Sequence, residues 1–245
     1  MTRGDVQTAN SPGCSLSFGR TAAPTAVLRH ELISTARVED HPVFAALFED
    51  TRDRLLSEGR HRALDIGEAL EGDQQVVFVL EGIVGGFVTD QRVCVALSGA
   101  GGVIGLESAL GMRPSLHAVA LAETRIFEAP ATLLVDGLGR ARVTDLCMRH
   151  ALARLDQLHA EAVCNAIHLI PQRLAKWLER LHRANRGKDI RLTQAEIATL
   201  MGVQRTAVNG SLRQLQDAGI LKSTRGRISV ADVDQLARAS CGCPV

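Results

Sequence analysis

The run LTQAEIATLMGVQRTAVNGSLRQLQDAGILKSTRGRISVAD, residues 192–232, carries the most specific pattern in the chain. Thr193 and Glu196 have the spacing of a capping box, in which both side chains satisfy free backbone amides at a helix start. We expect that helix to end at Gly202, because glycine readily adopts the left-handed conformation that reverses the chain. A second helix is predicted over 205–218. The run therefore predicts two short helices joined by a tight turn.

The second predicted helix has two distinct faces. Val208, Leu212 and Leu215 recur at i, i+4 and i+7 and form an apolar stripe. Its polar side chains lie on a separate face, with Gly210 at the edge, and they are Arg205, Thr206, Asn209 and Arg213. A helix that docks by an apolar stripe and presents Arg, Asn and Thr beside it can enter the DNA major groove and contact base edges.

The segment after the second helix predicts a basic hairpin. Ser223–Val230 has the pattern of a two-stranded wing with Gly226 at its turn. An isolated helical hairpin is often mere packing, and an arginine stripe is often a solvated face, but the combination favours DNA binding. The predicted DNA-contacting residues are Thr193, Gln204, Arg205, Thr206, Asn209, Arg213, Arg225 and Arg227.

Charge is divided unequally along the chain. The 245 residues are 46% hydrophobic and carry a net charge of +1, which argues against wholesale disorder or a polytopic membrane protein. Residues 171–245 hold 13 basic and 6 acidic side chains, whereas the preceding 170 residues hold 15 and 21. A basic carboxyl-terminal third on an acidic body points to a polyanionic partner.

The middle of the chain has a different pattern. Over 62–131, short apolar runs alternate with Gly, Asp and Gln turns, which is typical of an antiparallel sandwich or barrel. Strands are expected at 76–80, 83–88, 93–97, 118–121 and 125–127, after an amphipathic helix at 38–56. The fold class is therefore predicted as α+β: an amino-terminal antiparallel sandwich or barrel, a long helix, and a helical hairpin followed by a two-stranded wing.

A long helix is predicted between the β-rich region and the two short helices of the 192–232 run. Apolar residues there alternate at steps of three and four, the pattern of a coiled-coil seam. The seam residues are Met148, Ala151, Leu155, Leu158, Ala162, Asn165 and Leu169. A parallel dimer helix is favoured, since a buried Asn fixes register; a helix packed only on its own domain is the alternative. The predicted division is a flexible arm 1–26, a β-rich domain 27–135, a dimerisation helix 136–170 and a DNA-binding domain 171–245.

At this point a family resemblance becomes visible. The 192–232 run resembles the winged helix-turn-helix of the Crp/Fnr superfamily of bacterial transcription regulators. CNAIHLIPQRLAKWL (164–178) is similar to the joining stretch in one divergent branch. ALDIGEAL (63–70) with VVFVLEGIVGG (76–86) resembles the β-roll, or cyclic-nucleotide-binding fold. The resemblance implies an amino-terminal antiparallel sensor β-roll of jelly-roll or cupin-like shape at 27–135 and a winged helix-turn-helix at 171–245. The resemblance implies a homodimer on a pseudo-palindromic site in double-stranded DNA, with Arg205 on a guanine edge. RNA polymerase would be a further partner if the chain is an activator.

The same resemblance suggests a ligand site and places limits on it. In cyclic-nucleotide-binding members a glutamate holds the ribose and an Arg-Ser pair holds the phosphate. In GGVIGLESALGMRPSLHAVA (101–120), Val103 replaces that glutamate and Pro114 interrupts the pair. This argues against a cyclic nucleotide and leaves an unidentified ligand or none. The candidate ligand-binding residues are Gly102, Gly105, Leu106, Arg113 and Ser115.

Cysteine usage predicts no cofactor. Only Cys14 precedes Cys94, which argues against the iron–sulfur cluster of the oxygen-sensing branch. Two further Cys/His pairs supply two ligands each, which leaves haem open without predicting a metal site; they are Cys147 with His150 and Cys164 with His168. Cys241 and Cys243 could react with oxidants if exposed.

No catalytic residue is predicted, and we expect a cytoplasmic protein with no membrane partner. No charged-then-apolar leader opens the sequence, and its most apolar run, 76–88, contains Glu81 and is too short to span a bilayer. Two alternatives from other classes remain at this stage. One is a small-molecule or metal-binding enzyme built on the roll; the other is a ligand-binding regulatory module that does not act on DNA.

Overall fold

The computed structural model describes residues 37–71, 74–88 and 93–243, so the predicted arm 1–26 lies outside the described residues. The described chain opens with a 3-10 turn, Val38–Asp40, and the helices α1 (Pro42–Ala45) and α2 (Glu49–Glu58). The prediction of one helix over 38–56 is therefore wrong. Pro42 has no amide hydrogen and disfavours a helical residue before it, and His41 is extended at φ −71° and ψ 128°.

Seven strands build the roll in two antiparallel sheets. They are β1 (Arg60–Leu64), β2 (Gln75–Glu81), β3 (Ile83–Phe87), β4 (Cys94–Gly99), β5 (Val103–Ile104), β6 (His117–Ala120) and β7 (Thr124–Pro130). One sheet has the order β1-β7-β2-β5 and the other β4-β3-β6. All five predicted strands are present, and β1 and β5 are additional. A second 3-10 turn, Leu106–Leu110, follows β5.

Aromatic side chains fill the roll between the first sheet and the preceding helices. Phe44 lies edge-on to Phe78 at 5.4 Å and to Phe127 at 6.0 Å between ring centroids. All three rings are fully or almost fully buried. Edge-to-face pairs of this kind add to the free energy gained by burying the rings.

The second half of the chain is mainly helical. It contains α3 (Thr132–Leu138), α4 (Arg140–Ile167), α5 (Ile170–Ala184), α6 (Gln194–Met201), α7 (Arg205–Asp217), the hairpin β8 (Leu221–Thr224) and β9 (Arg227–Val230), and α8 (Val233–Ala239). None of the described helices is both long and apolar enough to cross a bilayer. The α+β architecture expected from the sequence, with roll, long helix and carboxyl-terminal helices with a hairpin, is confirmed.

The carboxyl-terminal domain shares a hydrophobic cluster with the roll. Ile83, Phe87 and Leu121 of the roll belong to the same buried cluster as Trp177 and Leu178 of α5. The turn after α6 also meets the roll, since a Cβ on Gly202 would lie 3.1 Å from the Val93 side chain. The two parts therefore pack as one body within a chain.

Ion pairs reinforce this contact. Arg186 Nη2 lies 2.6 Å from Glu81 Oε1, and Glu123 of the roll pairs with Arg191 at 3.4 Å and Lys188 at 3.8 Å. Some of the excess positive charge of the carboxyl-terminal third is thus matched by acidic residues of the roll.

Candidate DNA-binding surface

The helix-turn-helix is stabilised by local interactions that the sequence predicts. Thr193 N donates to Glu196 Oε2 at 2.6 Å, and Glu196 N donates to Thr193 Oγ1 at 3.2 Å, which completes the capping box of α6. Gly202 ends α6 in the left-handed conformation at φ 64°. Gln204 is the extended residue before α7. Helices α6 and α7 are therefore joined by a tight turn that depends on Gly202.

The faces of α7 separate as its sequence pattern predicts. Val208, Ser211, Leu212 and Leu215 are buried. The predicted DNA-contacting residues of this helix are all exposed and lie within an arc of about 100°, and they are Arg205, Thr206, Asn209 and Arg213. Gln204, immediately before the helix, is exposed as well. Within the part of the chain that the structure describes, the exposed polar face of α7 therefore makes no ion pair or side-chain hydrogen bond.

The hairpin lies beside this face. Gly226 makes the turn between β8 and β9 at φ 74°. A cleft of about 510 Å³ lies between the start of α6, α7 and the hairpin. Thr193, Arg205 and Arg225 line it together. The structure thus brings predicted residues from three separate elements to one concave surface.

The arginines of this surface differ in their partners. Arg205, Arg213 and Arg225 form no ion pair with any residue that the structure describes. Arg227 instead pairs with Asp189 at 3.4 Å, and Asp189 also accepts a hydrogen bond from Ser229. Unpaired guanidinium groups on a convex helix and a neighbouring hairpin can bind phosphates or bidentately contact guanine.

The predicted seam lies on the outward side of α4. On its inward side, Val143 packs in the core of the roll, and Cys164 contacts Lys176 of α5 and Cys241 of the tail; both residues are fully buried. All seven seam residues are exposed in the single chain, and the exposed fractions of Met148, Leu155 and Leu158 are 57%, 45% and 44%. Leu169 lies beyond the end of α4, as the residue that precedes α5, so the helical part of the seam ends earlier than predicted. The alternative of a helix packed only on its own domain leaves this outward apolar face unexplained.

The five candidate ligand-binding residues do not share one environment. Gly105 adopts φ 77°, and a Cβ there would collide with the Gln75 carbonyl oxygen. Gly102 accepts a hydrogen bond from His41 Nε2 at 3.1 Å, and Leu106 is buried in the roll core. Arg113 and Ser115 are exposed. The first three shape a turn and the core, and the last two lie on the surface.

A cluster of sulfur and imidazole groups lies at the end of α4. Cys164 Sγ is 3.5 Å from Cys241 Sγ, and Cys243 Sγ is 3.5 Å from His168 Nδ1. The sequence predicts Cys164 with His168 as one pair and Cys241 with Cys243 as another, because 77 positions separate Cys164 from Cys241. The other Cys/His pair stays apart from them: Cys147 Sγ donates to the Leu106 carbonyl at 3.3 Å.

Charged groups surround that cluster. Lys176 Nζ, almost fully buried, lies 3.0 Å from Cys164 Sγ and 2.9 Å from Glu161 Oε2. Burial raises the pKa of Cys241, but hydrogen bonds from the Cys243 backbone and the Cys164 thiol, together with Lys176, outweigh it and lower that pKa. Sequence reasoning missed Lys176, whose only signal is a lysine on the apolar side of a helix.

Comparison with known proteins agrees with this geometry. Residues 172–239 match the model of the Crp-like helix-turn-helix domain. No curated protein matches the chain. The structure is similar to a protein described as a Crp/Fnr-family transcriptional regulator from Eubacterium rectale, with a TM-score of 0.64 and 16% identity over 81% of this chain and 97% of that one.

Two further structures extend the likeness. FixK2 from Bradyrhizobium japonicum superposes with a TM-score of 0.58 at 22% identity, over 76% of this chain and 99% of FixK2. A Crp/Fnr-family transcriptional regulator from Thermus thermophilus gives a TM-score of 0.58 at 20% identity, over 76% of this chain and 100% of its own. At these identities the structures establish a shared fold. Residues 172–239 form a Crp-like helix-turn-helix domain, and the chain as a whole has the fold of the Crp/Fnr-family regulators to which it is similar.

Proposed function

We propose that the protein is a homodimeric, sequence-specific DNA-binding regulator that inserts α7 into the major groove. The observation that carries this proposal is the exposed polar arc of α7, whose Arg205 and Arg213 have no ionic partner among the described residues. A buried apolar stripe fixes the orientation of the helix while the arc remains available. Arg225 of the hairpin lines the same cleft as Arg205, which supports a role for it in contacting the adjacent phosphate backbone.

The homodimer rests on the outward apolar face of α4. Leucine and methionine side chains at a heptad spacing, all exposed in the single chain, gain free energy when a second copy covers them. A two-fold dimer presents two copies of α7, which implies a pseudo-palindromic site with half-site centres about one helical turn apart. We place the protein in the cytoplasm, with access to DNA, and expect contact with RNA polymerase if it activates transcription.

For the roll we propose either a sensor of an unidentified signal or a scaffold for α4. Val103 is buried in the aromatic core, in the position where the family's nucleotide-binding members carry the ribose-binding glutamate. This supports the expectation that no cyclic nucleotide binds. Gly102, Gly105, Leu106, Arg113 and Ser115 stay predictions as ligand contacts.

The experiment is selection of a preferred duplex from random-sequence DNA, followed by fluorescence anisotropy on the enriched duplex. We expect an enriched two-fold symmetric sequence. Arg205→Ala should weaken binding to it by about 1–3 kcal/mol per half-site and relax the base preference at one position.

Arg54→Ala is the charge-matched control, because Arg54 is exposed in α2 and forms an ion pair only with Asp136, at 3.5 Å, among the described residues. Enrichment of no symmetric sequence, or equal affinity of wild type and Arg205→Ala, would contradict the proposal.

A further inference from the structure

The sulfur and imidazole groups at the end of α4 have the composition of a metal site. Cys164, His168, Cys241 and Cys243 each offer one ligand atom, and these four atoms all lie within 4.8 Å of one another. Three thiols and one imidazole form a donor set that selects Zn²⁺ and related thiophilic divalent cations. Within the described residues, no other group of three or more His, Cys, Asp and Glu side chains is placed in this way.

The separations suit a tetrahedral ion. With metal–sulfur bonds of about 2.3 Å, neighbouring sulfur ligands of a tetrahedral zinc site lie about 3.8 Å apart. The Cys164–Cys241 sulfur separation is 3.5 Å, and Cys243 Sγ lies 3.5 Å from His168 Nδ1. These are two opposite edges of one tetrahedron. The sulfur separation is far longer than the ~2.05 Å of a disulfide, so the thiols are free.

The surroundings provide a second coordination shell. Three thiolates, a neutral imidazole and a divalent ion carry a net charge of −1. The Lys176 ammonium, 3.0 Å from Cys164 Sγ, offsets that charge and donates to the thiolate. Glu161 holds Lys176 and Arg180 in turn, at 2.9 Å and 2.8 Å, which fixes the position of the ammonium.

We propose that Cys164, His168, Cys241 and Cys243 bind one Zn²⁺-type cation, which clasps the carboxyl-terminal tail to the junction between α4 and α5. On binding, each thiol releases its proton to solvent and its sulfur donates an electron pair to the metal, with no change in oxidation state. Cys164 and His168 lie at the end of α4, and Cys241 and Cys243 follow α8 of the DNA-binding domain. The ion would therefore tie the last element of the reading domain to the helix that carries the proposed dimer seam.

The first experiment uses the full chain, reduced and stripped with a chelator, and titrated with Co²⁺ as a spectroscopic probe for Zn²⁺. We expect one Co²⁺ per chain, with the intense visible bands of tetrahedral cobalt and thiolate charge-transfer absorption, and displacement by Zn²⁺. The Cys241→Ser/Cys243→Ser variant should lose these bands and lower affinity by more than about 100-fold. Its two changes lie in the tail after the last helix, which keeps the folded core intact.

Cys147→Ser is the matched control, because this half-buried thiol lies outside the cluster. It should retain stoichiometry and spectrum. Equal Co²⁺ binding by wild type and the double variant, or only the weak bands of octahedral cobalt, would overturn the proposal. So would a Cys164–Cys241 disulfide in protein purified without reductant, found by peptide mapping.

A second measurement tests the clasp independently of DNA. Arg238 is exposed in α8, and trypsin cleavage after it releases the peptide that contains both tail cysteines. Zn²⁺ should slow this cleavage at least several-fold in wild type and not in the double variant. Cleavage at the same rate with and without Zn²⁺ would refute the clasp, whatever the DNA experiments show.

Discussion

Gly210 lies in the middle of α7, where glycine costs helix stability. Among the described residues, no atom beyond its chain neighbours and the backbone of its own helix lies within 4 Å of the Cβ that a larger residue would add, and its φ is negative. Gly210→Ala should therefore raise the free energy of unfolding by about 0.5–1 kcal/mol, measured by urea denaturation.

Gly202→Ala provides the contrast for this prediction. There φ is 64° and Val93 is 3.1 Å from the added carbon, so the substitution should destabilise the protein. If Gly210→Ala is also destabilising, the open space next to α7 is not present in solution. If Gly210→Ala is stabilising but weakens DNA binding, the glycine serves close approach of the DNA.

His41 predicts a pH dependence of stability. Burial lowers the pKa of His41 below its usual 6.5, and the hydrogen bond to Gly102 opposes this only in part. Its Nδ1 is buried without a partner among the described residues, so protonation would place an unsatisfied N–H beside Phe78. The unfolded chain binds the proton more readily than the folded chain, so stability present above pH 6.5 is lost as the pH falls below it.

The measurement is urea denaturation between pH 8 and pH 5. His41→Gln keeps a donor for the Gly102 carbonyl and should reduce the loss of stability on acidification. His117→Gln is the control, since His117 is exposed at the start of β6. Identical acid profiles for wild type and His41→Gln would contradict the assignment.

At the scale of elements, the exposed apolar seam of α4 allows a direct test of the proposed dimer. Leu158→Glu places a charge in the middle of the proposed interface, where it would be buried without a partner, and should weaken dimerisation about tenfold or more. Sedimentation equilibrium checks it. Ala153→Glu adds the same charge on an exposed part of α4 away from the seam and should leave the association unchanged. Monomers at all concentrations in wild type would remove the basis of the dimer.

Elements were predictable from sequence where several independent local signals coincide. Helices α6 and α7 have a capping box, a glycine turn and an apolar stripe, and the structure has all three. Strand β1 was missed because ion pairs hold its polar residues: Arg60 and Arg62 contact the buried Glu128 of β7 at 2.7 Å and 3.0 Å. The sequence of β1 has no alternation of apolar and polar residues that would predict a strand.

Two features that the sequence did not reveal depend on tertiary contacts: the cysteine–histidine cluster and the ion pairing of the hairpin arginines. Nothing local tells that Cys241 returns to Cys164, since the whole DNA-binding domain lies between them. Likewise Arg225 and Arg227 have equal standing in the sequence, and only the packing of Asp189 distinguishes them. Chemistry-bearing residue types were therefore recognisable, but their partners were not.

At the scale of the whole molecule, charge pairing sets the salt dependence of DNA binding. Each phosphate neutralised contributes about −0.9 to the slope of log K against log salt concentration. Arg225→Ala removes one unpaired cation from each of two chains, so the slope should become shallower by up to about 2. Anisotropy titrations over a series of salt concentrations measure it.

Arg227→Ala is the comparison for this slope. Asp189 already neutralises Arg227 in part, so its removal should change the slope less than the removal of Arg225. An equal change for the two variants would mean that the Arg227–Asp189 pair opens on DNA. No change for Arg225→Ala would take the hairpin out of the interface.

Trp177, the only tryptophan of the chain, lies in the hydrophobic cluster that the roll shares with the DNA-binding domain. It is 8% exposed. Its indole is therefore a built-in optical reporter of whether the two domains stay docked. A red shift of its emission without loss of helical circular dichroism would signal separation of domains that remain folded. If tryptophan emission and circular dichroism change together during denaturation, the roll and the helix-turn-helix domain unfold as a single cooperative unit.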